Sequence, residues 1–192
     1  MLILSLMRIS PIKIFGNWQD GYVLDEHTVS SSAVGGSFDT IYTELGGLLY
    51  DFKYNKHLDT SKEIWELTQD FLLEWLSGKK IDFVINLPPS TPRIVQPLAV
   101  ITKYIANRLK VPYVDNCLIN LSEKSAKNGA YDLVIEINIR FERVSNVLLV
   151  DDLYNTGTSL LKTCEVLKSD DKVGEIYVLA LTRKRNKGTV LR

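Results

Sequence analysis

Four aliphatic residues, Val147-Leu-Leu-Val150, run directly into two adjacent aspartates, Asp151 and Asp152, and soon after into the polar loop Asn155-Thr-Gly-Thr-Ser159. No other segment constrains the fold as tightly. A strand that is aliphatic on both faces needs cover on both sides, which is the condition of parallel sheets in α/β proteins, whose ligands gather beyond the carboxyl ends of the strands. The two carboxylates then fall where a ligand is expected. Behind them, residues 155–159 can turn successive backbone N–H groups and the hydroxyls of Thr156, Thr158 and Ser159 toward one point, and the N-terminus of the following helix adds about half a positive charge. That combination makes a cradle for a phosphate.

Carboxylates beside a phosphate repel it unless they face a neutral polyol or share a divalent cation with the ligand. A phosphorylated ribose meets the condition: its 5′-phosphate fits the loop while its 2′ and 3′ hydroxyls donate to Asp151 and Asp152. Mg²⁺, which prefers oxygen ligands and keeps several waters, could bridge ribose oxygens and a nearby pyrophosphate. The segment Val147 to Ser159 resembles the signature of the type I phosphoribosyltransferases: a hydrophobic strand, an acidic pair, and a loop with Thr156-Gly157 followed two residues on by a hydroxyl, here Ser159 where the family has threonine. The resemblance implies binding of 5-phosphoribosyl 1-pyrophosphate (PRPP) or of a nucleoside monophosphate. It casts Tyr154, Asn155, Thr156, Gly157, Thr158 and Ser159 as the 5′-phosphate loop, and Asp151 and Asp152 as catalytic residues that also hold Mg²⁺ through water.

At 192 residues the chain is long enough for one well-buried domain. From Ile81 onward strand and helix alternate: strands at 81–87, 111–115, 146–150 and 175–181, helices at 93–109 and 156–168. Strands spaced by helices imply an α/β fold with a central, mostly parallel sheet flanked by helices. Residues 130–140 alternate apolar and polar side chains as an antiparallel ribbon would. Before position 81, residues 16–21 and 30–36 are turn-rich, and helical spacing appears at 41–55 and 61–77, where Leu67, Phe71, Leu72 and Trp75 share a stripe ended by Gly78. The reading is an N-terminal hood with packing helices over 1–80 and a phosphoribosyltransferase core over 81–192.

The loop Leu87-Pro-Pro-Ser-Thr-Pro-Arg93 follows the first strand of that core. Prolines stiffen it before a ligand arrives, and Arg93 offers a planar fork for phosphate oxygens. The resemblance makes Pro88, Pro89, Ser90 and Arg93 the pyrophosphate loop, with Arg93 catalytic, and implies a cis peptide near Leu87–Pro89. It also implies a flexible loop closing over the ligand, where Lys124 or Lys127 supplies a basic group. His27 and His57 lack the serine or cysteine context of a nucleophile relay and read as core or surface residues.

Lys plus Arg, 23 residues, balance Asp plus Glu, also 23, which removes the electrostatic footprint of a general nucleic-acid binder. The basic stretch Arg183-Lys-Arg-Asn-Lys187 reads as a solvated end. Cys117 and Cys164 match neither a disulfide framework nor zinc-ligand spacing, so a cytoplasmic location and no zinc are expected. The apolar Met1–Met7 is too short to span a bilayer, and no membrane association is expected; it reads as an N-terminal strand or as residues ahead of a start at Met7.

Further motifs, Gly21-Tyr-Val-Leu-Asp-Glu-His-Thr28, Thr43-Glu-Leu-Gly46, Leu49-Tyr50 with Lys53-Tyr54, Pro92-Arg93 with Gln96, and Asp152-Leu-Tyr154, resemble the ComF-like branch of phosphoribosyltransferase-domain proteins, here without an N-terminal zinc ribbon. The resemblance implies transfer of a 5-phosphoribosyl group to a nitrogenous acceptor with release of pyrophosphate. It leaves open a non-catalytic PRPP or nucleotide sensor, a homo-oligomer, and a subunit that partners a DNA-processing protein in uptake or defence.

Overall fold

The computed structural model describes residues 8–34, 37–54, 60–89, 96–122 and 133–185. In chain order the elements are β1 (Ile12–Lys13), β2 (Asp20–Glu26), β3 (Thr28–Val34), β4 (Ser37–Tyr42), α1 (Glu44–Tyr54), α2 (Thr60–Leu76), β5 (Phe83–Asn86), α3 (Pro97–Leu109), β6 (Leu118–Asn120), β7 (Ile135–Ile137), β8 (Ser145–Tyr154), α4 (Thr158–Lys168) and β9 (Val173–Arg183). A five-stranded sheet runs β1-β2-β9-β8-β5, parallel throughout except for β1. The fold is α/β with a mostly parallel central sheet and flanking helices.

The aliphatic run sits where its composition demands. Val147, Leu148, Leu149 and Val150 are each 0% exposed, and burial of such side chains stabilises by roughly 1.5–3 kcal/mol apiece. Because strand side chains alternate, they feed two cores. Leu148 and Val150 pack with Ile64, Leu72, Ile101 and Ile105 of α2 and α3. Val147 and Leu149 pack with Ile135 of β7 and with Leu160 and Leu167 of α4. The stripe expected on α2 lies in the first core, with Leu72 and Trp75 buried and Leu67 and Phe71 partly so. Gly78, at φ 74°, lies two residues beyond the helix's last residue. Among the described residues no helix is long and apolar enough to cross a membrane.

Several boundaries differ from expectation. Between and within the two turn-rich stretches lie β2, which pairs in parallel with β9 from Asp20↔Tyr177 to Glu26↔Arg183, and β3, which pairs antiparallel with β4. Charges at both ends of β2 hide its short apolar centre. The strand expected at 111–115 makes only one parallel bridge, Val84↔Tyr113. Helix α3 starts at Pro97, not at 93, because Gln96 is extended and proline at the first helical position fits the missing N–H. Strand β8 continues through Tyr154, held by its ladder to β9, so the acidic pair lies within a paired strand. The ribbon expected at 130–140 is present as β7, antiparallel to β6. Arg183 of the basic end is half-buried and paired: it ends β9 and reaches Glu26 Oε1 through Nε at 3.1 Å and Nη2 at 2.6 Å. The N-terminal strand expected at 1–7 lies outside the described residues.

Candidate active site

Strands β5 and β8 are neighbours, but the helices that follow them leave in opposite directions: α3 packs on the face that carries Leu148, α4 on the face that carries Leu149. A crevice opens at the carboxyl ends of two such strands. Here it is a cavity of about 340 Å³. Its floor comes from Asn86 and Leu87 after β5 and from Asp151 to Leu153 of β8. The first turns of α3 and α4 border it, together with Lys53 of α1 and the β6–β7 ribbon. Two helix N-termini therefore face the acidic pair, each bringing partial positive charge to it.

The two carboxylates sit in different surroundings. Asp151 is buried, 9% exposed, on the side of Leu149 and α4, while the Asp152 side chain is 45% exposed on the other side. Asp151 Oδ1 accepts the Asp152 N–H at 2.8 Å. Burial first, and the neighbouring Asp152 charge second, push the Asp151 carboxyl up to about 7, although backbone N–H groups of Asp152 and Leu153 pull the other way. Asp152 Oδ2 stands 3.9 Å from Lys53 Nζ, a pairing between distant segments that the Lys53-Tyr54 motif alone does not reveal.

The polar loop leaves the start of α4 uncapped: Gly157 adopts φ 79° and precedes the helix with no side-chain cap, so its first N–H groups have no side-chain acceptor. Asn155, Thr156, Thr158 and Ser159 are exposed, the two threonine hydroxyls meet at 2.9 Å, and Ser159 borders the cleft. Tyr154, expected as part of this loop, belongs to β8 instead. A Cβ on Gly157 would lie 2.9 Å from the Tyr154 hydroxyl, so the phenol ring supports the turn from one side.

Of the expected pyrophosphate loop, Pro88 and Pro89 line the cleft, and Ser90 and Arg93 lie outside the described residues, as do Lys124, Lys127 and His57. There is no cis peptide among the described residues, so the one expected near Leu87–Pro89 is absent. Asn86, which the sequence reading passed over as the end of a strand, donates from Nδ2 to Leu87 O at 2.7 Å, and its Oδ1 accepts the Tyr113 hydroxyl at 2.7 Å. One Nδ2 hydrogen remains for the cleft.

Lys53 is placed by the segment Thr43–Gly46. The Thr43 hydroxyl donates to Glu26 O at 2.6 Å and accepts the Gly46 N–H at 3.0 Å, which caps α1 and ties it to β2. Gly46 is required there, since a Cβ would sit 1.9 Å from His27 O. His27 itself is a structural link. The Thr182 hydroxyl donates to Asp152 O at 3.1 Å, so it accepts from His27 Nδ1–H, also at 3.1 Å, and burial lowers the histidine's pKa. A role in packing, not nucleophilic chemistry, was the expectation for it.

No family model and no curated protein matches the chain. Solved structures do. The adenine phosphoribosyl transferase of Trypanosoma brucei, in complex with AMP, pyrophosphate and ribose-5-phosphate, aligns at 12% identity over 96% of this chain and 92% of that one, with a TM-score of 0.49. The adenine phosphoribosyltransferase of Leishmania tarentolae aligns at 16% identity over 91% and 94%, with a TM-score of 0.48. A hypothetical protein from Neisseria gonorrhoeae with bound ppGpp aligns at 16% over 69% and 73%, with a TM-score of 0.48. These likenesses are remote and assign no role to any residue.

Proposed function

We propose that the cleft binds PRPP and that the protein transfers its 5-phosphoribosyl group to a nitrogenous acceptor, releasing pyrophosphate. One observation carries the reading: an acidic pair and an uncapped helix N-terminus, opened by the left-handed Gly157, face the same cleft at the switch point between β5 and β8. The first suits ribose hydroxyls and the second suits a phosphate; a phosphorylated ribose carries both.

In this reading the N–H groups and hydroxyls of residues 156–159 hold the 5′-phosphate. Asp151 and Asp152 accept from the ribose hydroxyls. Pyrophosphate lies against the Pro88–Pro89 backbone, with N–H donation from Asn86 and the charges of Lys53 and Arg93. The bond from the anomeric carbon to the pyrophosphate oxygen breaks with its electron pair leaving on pyrophosphate, the acceptor nitrogen's lone pair forms the new bond to that carbon, and the acceptor's N–H proton passes to water. The transition state resembles that of glycoside hydrolysis, with positive charge developing on the ribose. Asp151 and Asp152 stabilise it by facing that charge, and Lys53, Asn86 and Arg93 stabilise the departing negative charge.

Mg²⁺ fits this donor set. Among the described residues no group of three or more His, Cys, Asp or Glu side chains could hold a metal alone; an oxygen-only pair such as Asp151 and Asp152 suits an ion that takes most of its ligands from water and substrate phosphates. Bound there, it would neutralise charge on the pyrophosphate.

The test is incubation with PRPP, Mg²⁺ and a panel of nitrogenous bases, with pyrophosphate release and nucleotide formation followed by chromatography. Acceptor-dependent formation of a nucleotide is expected. PRPP binding without product from any base would leave a PRPP-binding protein and remove the transfer reaction.

A further inference from the structure

We infer that Asn120 reads the acceptor, and that the acceptor is a planar heterocycle presenting a ring carbonyl, in preference to one presenting an amino group. This rests on the PRPP reading above, which uses every other polar group argued for in the cleft: Ser159 for the 5′-phosphate, Asp151 and Asp152 for the ribose, Asn86 and Lys53 for pyrophosphate. Beyond residues 87–89, the rest of the lining is Gln96 with residues 97–99 at the start of α3, Leu153 of β8, and the wall formed by the β6–β7 ribbon, namely Asn120, Leu133 and Ile135; that wall is the part that combines aliphatic surface with a carboxamide. Two aliphatic side chains and one carboxamide suit a flat ring with one polar edge.

The ribbon also determines which end of the carboxamide is available. Asn120 pairs across the ribbon with Ile135, Leu121 N donates to Val134 O at 2.9 Å, and the Ser122 hydroxyl accepts the Val134 N–H at 2.8 Å. Within that frame Asn120 Oδ1 accepts the Ser122 N–H at 2.9 Å. The oxygen is therefore engaged by the backbone, and Nδ2 offers its two hydrogens to the cleft. The Asn86 oxygen is likewise engaged, by Tyr113, although one of its Nδ2 hydrogens goes to Leu87 O. A carbonyl oxygen accepts from such a group. An exocyclic amino group would meet donor with donor and lose its water without a replacement, the arrangement that sites use to reject a close analogue.

The probes are nucleotide pairs that differ at one edge, IMP against AMP and UMP against CMP, titrated by calorimetry against the wild type and Asn120→Asp, with PRPP titrated alongside. In the wild type the oxo member of each pair should bind at least about tenfold more tightly. Asn120→Asp keeps an oxygen for the Ser122 N–H but replaces the donors with an acceptor, so the preference should vanish or reverse while PRPP affinity stays within about twofold. Equal or stronger binding of AMP and CMP by the wild type overturns the inference. So does an unchanged ratio in Asn120→Asp, or a loss of PRPP affinity there, which would assign Asn120 to PRPP. The two proposals fail separately. An Asn120-dependent oxo preference without PRPP binding leaves the inference standing and removes the transferase reading, whereas binding of neither nucleotides nor PRPP removes both.

Discussion

Lys53 Nζ lies 3.9 Å from the Asp152 carboxylate and so joins α1, in the N-terminal part of the chain, to the acidic strand β8. Both side chains are about two-fifths exposed, 41% and 45%, and exposed pairs of this kind contribute at most about 1 kcal/mol to stability. Lys53→Met should therefore change the unfolding free energy by less than about 1 kcal/mol yet weaken PRPP binding by about tenfold or more, the size of one lost charged hydrogen bond. Urea denaturation and calorimetric titration check the two halves. Reduced stability with unaltered PRPP affinity would make the pair purely structural.

The adjacent glycines of α1 should respond in opposite directions to alanine. At Gly46 a Cβ would lie 1.9 Å from the His27 carbonyl oxygen, so Gly46→Ala must push α1 from the sheet and should cost about 1–3 kcal/mol. At Gly47 the nearest atom, Tyr42 Cβ, is 3.9 Å away, and Gly47→Ala should stabilise by roughly 0.5–1 kcal/mol through helix propensity alone. Denaturation curves of the two variants give the signs.

Asp151 gives the apo protein a pH signature. Its folded pKa, about 7, is above the ordinary carboxylate value because burial disfavours the charge. A raised folded value means that its contribution to stability is complete below about pH 4 and is lost as pH rises to about 7. Asp25 is raised too, and Asp20 is lowered with the opposite sign. The diagnostic is thus the difference between wild type and Asp151→Asn. The variant should gain stability relative to wild type between about pH 4 and 7, level off above, and lose PRPP binding. Parallel stability curves across that range would contradict the burial argument.

Gly157 carries the turn that opens the proposed phosphate cradle. Its φ of 79° is left-handed, which costs an alanine about 1–2 kcal/mol, and the new methyl would press on the Tyr154 ring. Gly157→Ala should lower stability by that amount and weaken ribose 5-phosphate binding. Tyr154→Phe in the same background removes the 2.9 Å hydroxyl contact and should recover part of the stability, leaving the backbone cost in place. Unchanged stability and affinity in Gly157→Ala would argue against the cradle.

The part of the site that was legible in the sequence is the part built from consecutive residues. An aliphatic run, two aspartates and a hydroxyl-glycine loop specify a buried strand, its acidic end and a helix start through local chemistry. Lys53 stands out in the sequence only as part of the Lys53-Tyr54 motif, without a role, and Asn86 and Asn120 look ordinary in their own segments; each gains meaning only when α1, β5 and the ribbon converge on the cleft. Strand β2 was missed because Asp20, Asp25 and Glu26 mask its apolar centre, although β9 pairs along nearly its whole length. The start of α3 was drawn too early because several prolines crowd residues 88–97, and only Pro97 occupies the first turn of the helix.

Diffraction from crystals soaked with PRPP and Mg²⁺ tests the central claim most directly. The 5′-phosphate is expected within hydrogen-bond distance of the backbone N–H groups at the start of α4, beside Thr156, Thr158 and Ser159, with the ribose hydroxyls on Asp151 and Asp152. A ligand phosphate bound elsewhere on the surface, or a cleft still empty at a PRPP concentration that calorimetry shows to be saturating, would contradict it.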